Sequence, residues 1–107
     1  MAFDQRIAAM QEAIGNDRLS FSAHALDEMI VDHIVARQVR AALLGSVDLI
    51  EDYPTYHKGS CCLVLCWIAG EPIHAVVSYP SNITVVTVYR PDRARWSDDF
   101  RRSLPRP

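Results

Sequence analysis

The spacing of apolar residues changes once along this chain, close to Gly45. Before Gly45, apolar residues recur every three or four positions, which is typical of helices that bury one face. After Gly45, they alternate with polar residues or form short continuous runs, which is typical of strands. Because the period changes only once, the sequence predicts an α+β domain with its helices first and its sheet second.

Three helices are predicted before Gly45. The first ends at Gly15 and carries an apolar stripe made of Phe3, Ile7, Met10 and Ile14. Ser22 is a favourable N-cap for the second helix, so residues 19–22 are interpreted as a connector. The second helix is expected to bury Ala25, Leu26, Met29 and Ile30 and to expose His24, Asp27, Glu28 and Asp32. The third helix follows His33 and ends at Gly45.

Four strands are predicted after Gly45, at residues 47–52, 61–68, 72–79 and 83–89. The turns between the last three strands are short, and short turns require antiparallel pairing. We therefore expect the helices to pack on one face of a four-stranded antiparallel meander. At 107 residues the chain has room for one core, so residues 1–107 are expected to form a single domain.

The C-terminal tail combines basic residues with an apolar stripe. Trp96, Phe100 and Leu104 are spaced four residues apart, which predicts a short helix docked by its rings. Residues 1–89 carry a net charge of −5, whereas residues 90–107 carry +3. A basic tail of this kind suits docking on its own acidic body, or on an acidic partner, better than coating nucleic acid.

Cysteine use and the N-terminal residues indicate the compartment. Cys61, Cys62 and Cys66 lie in one apolar run, and three cysteines cannot all pair within one chain. They are expected to be buried and reduced. No basic stretch followed by an apolar core opens the sequence, and no apolar run approaches the ~20 residues that cross a bilayer. We expect a cytoplasmic protein that binds neither membrane nor DNA.

The segment from His24 to Trp96 resembles a family of short bacterial proteins described as domain of unknown function 4258. Four stretches carry the likeness: His24-Ala25-Leu26 with Met29, Ile50-Glu51-Asp52-Tyr53-Pro54, Pro72-Ile73-His74-Ala75-Val76-Val77, and Thr87-Val88-Tyr89-Arg90-Pro91-Asp92 with Trp96. They occur in the family's order and spacing. The resemblance implies a family-like core at residues 20–96, followed by a basic arm or helix at residues 97–107.

The resemblance also implies a fold related to RelE-type messenger-RNA interferases and barnase-like ribonucleases, although likeness of fold does not establish function. Family members commonly carry Arg four residues after the first His and again about four residues beyond. Here those positions are Glu28 and Asp32. Because RNA cleavage needs cations that hold phosphate, this departure argues against phosphate binding by the second helix.

Several polar residues are candidates for chemistry. In small ribonucleases, His, Glu and Tyr side chains can act as base and acid, and cations bind the phosphates. The candidate catalytic residues are His24, Glu51, His74 and Tyr89. The candidate substrate-binding residues are Arg90 and Lys58.

Each candidate also has a purely structural interpretation. His24, Glu28 and Asp32 are spaced one helical turn apart, so they form either a polarised base or metal site, or a solvated helix face.

His74 lies in mid-strand, where a His is usually a buried side chain with satisfied hydrogen bonds. A three-residue loop before the last strand would pair His74 with Val88, and a four-residue loop would pair it with Thr87. The sequence does not choose between these registers.

Three functions are compatible with these residues. The preferred one is a non-catalytic interaction module of toxin–antitoxin-like ancestry, which forms a homodimer or binds a small protein partner. The alternative is a RelE/barnase-like ribonuclease that acts on RNA without metal or cofactor. The third is a divalent-metal-binding domain. A ribonuclease should gather Arg37, Arg40, Arg90 or Lys58 around a cleft that also holds the His residues, whereas an interaction module should scatter them.

Overall fold

A computed structural model describes residues 5–53, 60–79 and 82–104 of the chain. Within these ranges the elements follow in the order α1 (Gln5–Gly15), β1 (Leu19–Phe21), α2 (Ala23–Val31), α3 (Ala36–Leu44), β2 (Asp48–Tyr53), β3 (Cys61–Ile68), β4 (Glu71–Ser78) and β5 (Ile83–Tyr89). The α+β class and the three predicted helices are confirmed. None of the helices in this part of the chain is long and apolar enough to span a bilayer.

The strands form one mixed sheet in the order β1-β5-β4-β3-β2. The strands β2 to β5 pair antiparallel with their neighbours in sequence, as the predicted meander requires. The prediction of only four strands is wrong, because Leu19–Phe21 forms an edge strand parallel to β5. Three residues are too few to show a period of two, and their partner strand lies 64 residues further along the chain. Local pattern therefore indicated only a connector there.

The helices cover one face of the sheet and enclose a hydrophobic core between them and the sheet. Ile14 of α1 and Leu43 of α3 are fully buried there, against strand residues such as Val64 and Ile73. Gln11 anchors α1 to the end of α3, since its Nε2 donates to the carbonyl oxygens of Leu43 at 3.0 Å and Gly45 at 2.9 Å. The opposite face of the sheet carries the alternate residues of the same strands.

The helix α2 is rotated relative to its predicted orientation. Ala25 and Met29 are buried as expected, but Leu26 is 45% exposed and Ile30 is 74% exposed. Of the side chains expected to be solvated, His24 and Asp27 are exposed, whereas Glu28 and Asp32 turn toward β5 and accept hydrogen bonds from its residues. Capping the backbone of β5 thus determines which side of α2 faces inward, and it leaves Leu26 and Ile30 on the outside.

The tail docks on the body without forming the predicted helix. Residues 91–104 run through turns and bends, with one antiparallel bridge between Trp96 and Ser103. Phe100 adopts a left-handed backbone with φ of 62°, and the Asp99 carboxylate accepts from Ser97 Oγ at 2.5 Å. Such local side-chain bonds compete with helix formation. The predicted docking by rings is confirmed, because Phe100 is buried and the Trp96 ring packs on His74.

Candidate functional site

Three of the four candidate catalytic residues lie on the face of the sheet opposite the helices. His74 stands directly opposite Tyr89, a register that neither loop length considered from the sequence would give. Glu51 lies on the same face, opposite Leu63 of β3. The face therefore brings a carboxylate, an imidazole and a phenol to one region.

Two β-bulges produce this convergence. In β5, Val86 is an extra residue, since Val76 pairs with Thr87 whereas Val77 pairs with Val85. Without the bulge, Tyr89 would share the helix-covered face with Val85, because side chains alternate along a strand. In β2, the shift between Leu49 and Glu51 has the same effect on Glu51. Bulges commonly redirect side chains next to functional sites.

His74 is fully buried and both of its ring nitrogens are engaged within the protein. Nε2 lies 2.8 Å from the carbonyl oxygen of Phe100, and that contact requires a proton on Nε2. Nδ1 is then the acceptor for the Tyr89 hydroxyl at 3.3 Å. The Trp96 ring meets the imidazole edge-to-face, with 4.3 Å between ring centroids. The imidazole thus links the tail to β5.

The surroundings move the pKa values of this cluster away from neutral pH. Burial lowers the pKa of His74, although its hydrogen bond to Phe100 and the negative charge of Glu51 act in the opposite direction. Burial, together with the charges of Glu28 and Glu51, raises the pKa of Tyr89. Burial and a hydrogen bond to Glu51 raise the pKa of Tyr53 to about 12. At neutral pH the imidazole and both phenols are uncharged.

His24, the fourth candidate, does not join this cluster. Its side chain is 70% exposed on α2, and Nε2 lies 3.4 Å from Glu28 Oε1. An open hollow of about 370 Å³ lies beside it, lined by His24, Asp27, Glu28, Val31, Asp32 and Tyr89. Within the described ranges, no three His, Cys, Asp or Glu side chains are grouped so that they could hold a metal ion. The geometry thus gives no support to a metal centre at His24, Glu28 and Asp32.

The carboxylates of α2 serve the sheet. Beyond Phe21 the strand β1 has ended, so β5 would present unpaired backbone groups at its outer edge. Glu28 accepts from the amide of Val88 at 3.0 Å and from the hydroxyl of Thr87, and Asp32 accepts from the amide of Arg90 at 3.1 Å. Glu28 and Asp32 thereby take the place of a paired strand beside this part of β5. Their i, i+4 spacing alone does not predict this role, because the role depends on the order of the strands.

Of the candidate substrate-binding cations, Arg90 lies within the described residues and is engaged in ion-pair and backbone contacts. Arg90 bonds Glu71 at 2.9 Å and the backbone oxygen of Asp32 at 3.3 Å. Arg37 and Arg40 line a separate hollow beside β1. Lys58 lies outside the described residues. Arg37 and Arg40 therefore lie at a different place on the described part of the chain from Arg90.

Trp96 and Phe100 are parts of the His74 cluster that the sequence did not assign to a site. Their apolar spacing indicated docking, but not the ring contact or the hydrogen bond from His74 to a backbone carbonyl. One feature of the sequence could have predicted their place in the site. The tail is basic and carries two aromatic rings, and it directly follows two strands that carry a His and a Tyr.

Comparison with known proteins identifies the family. No curated protein and no solved structure matches the chain. Residues 21–90 match the family described as Domain of unknown function (DUF4258), a range that runs from the last residue of β1 to just after β5. It contains the polar stripe of α2, Glu51, His74 and Tyr89. The chain therefore belongs to the DUF4258 family.

Proposed function

We propose that this domain is a non-catalytic interaction module of toxin–antitoxin-like ancestry. The observation that carries the proposal is the engagement of His74: one ring nitrogen donates to Phe100 and the other accepts from Tyr89. A general base must have a nitrogen within reach of the substrate proton. Here the imidazole is buried and stabilises the docking of the tail.

Charge distribution supports the same function. RNA binding requires several cations along one groove. Arg90 is paired with Glu71, and Arg101 is paired with Asp48 and lies 3.8 Å from Asp99. Residues 1–89 carry a net charge of −5, so the body of the domain repels a polyanion.

A metal-independent ribonuclease of RelE/barnase type is the second candidate. It is favoured by one observation, the convergence of Glu51, His74 and Tyr89 on one face through two bulges. For it to act, the tail would have to leave His74 so that Nε2 becomes available. The ancestry itself is a proposal based on the resemblance in the order of helices and strands.

The test is a cleavage time course on messenger RNA, both free and bound to ribosomes. Wild type is compared with Tyr89→Phe, which removes only the hydroxyl, and with His24→Gln on the exposed face of α2. We expect no cleavage above the protein-free control by any of the three. Robust cleavage by wild type that disappears in Tyr89→Phe would establish the ribonuclease instead. Cleavage of equal rate in all three preparations would indicate a contaminating nuclease, which further purification removes.

A further inference from the structure

We propose that the outer side of α2 is the docking surface of this module, and that its partner is a protein segment carrying apolar side chains around a Lys or Arg. This inference rests on the proposed interaction role and specifies the surface and the chemistry of the partner. The docking surface is defined as Leu26, Asp27, Ile30 and Val31. It adjoins the His74 cluster at the open hollow, which Asp27 and Val31 line together with Tyr89.

The apolar part of the docking surface consists of three residues within a span of six positions. Leu26 is 45%, Ile30 is 74% and Val31 is 75% exposed. Scattered exposed apolar residues are ordinary, but contiguous patches mark interaction sites. On a helix, Leu26 and Ile30 are neighbours because they are four residues apart, and Val31 follows directly.

A carboxylate lies among these apolar side chains. Asp27 is exposed, and its spacing of three and four residues places it next to Ile30 and Val31. It also lines the open hollow together with Val31, Glu28 and Asp32. The surface therefore offers apolar contact and negative charge side by side. A cationic side chain with an apolar stem fits both properties.

The same charges argue against a second copy of the chain as the occupant. A two-fold interface would place the same patch on both subunits, so Asp27 would face the negatively charged side of its own copy. Like charges opposed in an interface cost affinity. An anionic membrane surface is disfavoured for the same reason, because helices that bind such surfaces carry Lys and Arg on their polar face.

The docking surface is held in place before any partner arrives. Ser22 caps α2 by accepting from the amide of Ala25 at 3.0 Å, and its hydroxyl donates to the carbonyl of Val86 at 2.8 Å. Glu28 and Asp32 fix the other side of the helix to β5. A rigid surface avoids the entropic cost of ordering on binding, which favours affinity from a small area.

The experiment selects binders from a display library of 16-residue randomised peptides, using the full chain as bait, and measures the dissociation constants of the enriched peptides by fluorescence anisotropy. We expect enrichment of peptides with apolar residues at helical spacing and at least one Lys or Arg. Ile30→Ser and Asp27→Lys should each weaken binding by about tenfold or more. Matched controls elsewhere on the surface, Leu104→Ser and Asp98→Lys, should bind like wild type.

Charge reversal provides the decisive step. A peptide whose cation is replaced by Glu should bind Asp27→Lys more tightly than it binds wild type, because the reversed pair restores attraction. Absence of enriched peptides, or binding unaffected by Ile30→Ser and Asp27→Lys, would overturn the proposal. So would a dimer in sedimentation that Ile30→Ser dissociates, or co-sedimentation with phosphatidylcholine vesicles that Ile30→Ser abolishes.

The two proposals fail in different assays. If no peptide binds the docking surface and RNA is not cleaved, the surface is wrong but the non-catalytic role stands. If RNA is cleaved in a manner that depends on Tyr89, the proposed function is wrong whatever the peptides do.

Discussion

At the scale of single residues, two carboxylates of α2 act as hydrogen-bond acceptors for the edge of a sheet. An unpaired backbone amide that is partly buried loses its bonds to water, so a fixed acceptor stabilises the fold. Glu28 supplies that acceptor to Val88, and Asp32 supplies it to Arg90. Arginine at these positions would offer donors where the edge of β5 requires acceptors.

Glu28→Ala is therefore expected to lower the free energy of unfolding by about 1–3 kcal/mol, because it leaves the amide of Val88 without its acceptor. Glu28→Gln keeps an acceptor oxygen and should cost less. Asp27→Ala is the matched control, since it removes the same charge one residue away and should change stability by less than about 0.5 kcal/mol. Urea denaturation provides the measurement. An equal loss in all three variants would show that charge, rather than the bond to β5, is responsible.

His74 is a second residue whose role follows from burial. Its pKa is lowered from the ordinary value of 6.5, chiefly by burial. As the pH falls through that value, the unfolded chain therefore binds more protons than the folded chain. The contribution of neutral His74 is fully present above about pH 6.5 and is lost progressively at lower pH.

The free energy of unfolding should accordingly decline as the pH falls below about 6.5, and part of that slope should vanish in His74→Gln. Glutamine can still donate to the Phe100 carbonyl but does not titrate. His24→Gln is the control, because that side chain is largely exposed. Denaturation curves at a series of pH values give the slopes. A slope that is unchanged in His74→Gln would contradict the assignment.

At the scale of elements, the tail is held to β4 through His74. Residues 91–104 are held by the bond from His74 to Phe100 and by the contact of the Trp96 ring with the imidazole. Arg93 lies over the Phe100 ring at 5.2 Å from its centroid. The tail therefore covers His74 by specific contacts even though it lacks regular secondary structure.

Phe100→Ala is expected to destabilise the protein by about 3 kcal/mol, because a buried aromatic ring is lost. In a domain of this size that loss corresponds to a fall in Tm of roughly 10–20 °C. Leu104→Ala is the matched control, since Leu104 is 42% exposed and should shift Tm only slightly. Scanning calorimetry measures both variants. If Phe100→Ala melts like wild type, the tail is a free arm and the nucleic-acid interpretation of its arginines gains weight.

At the scale of the whole molecule, local sequence pattern predicts the elements better than their arrangement. The change of period at Gly45 predicts three helices and the antiparallel strands correctly. It cannot predict β1, because three residues show no period, nor the rotation of α2, which is set by the unpaired edge of β5. Both features depend on contacts between distant residues.

The candidate site was likewise predictable in its residue types but not in its geometry. The residue types of Glu51, His74 and Tyr89 indicated a cluster, but their shared face depends on extra residues in β2 and β5 that alternation alone does not show. The sequence also could not show that His74 bonds the carbonyl of Phe100, since that contact joins positions 26 residues apart. Residue type is thus predictable where register and hydrogen-bond partners are not.

The three thiols report on the opening of the whole molecule. Cys61, Cys62 and Cys66 are buried thiols on β3, a strand with neighbours on both sides. Burial raises the pKa of Cys66 to about 12, so the reactive thiolate is scarce in the folded state. A thiol reagent should therefore label them only when the sheet opens. We expect slow labelling at one common rate that rises with urea in parallel with unfolding, and rapid labelling of all three in the unfolded chain. Fast labelling of all three in the native protein, or a disulfide within the native monomer, would contradict the prediction.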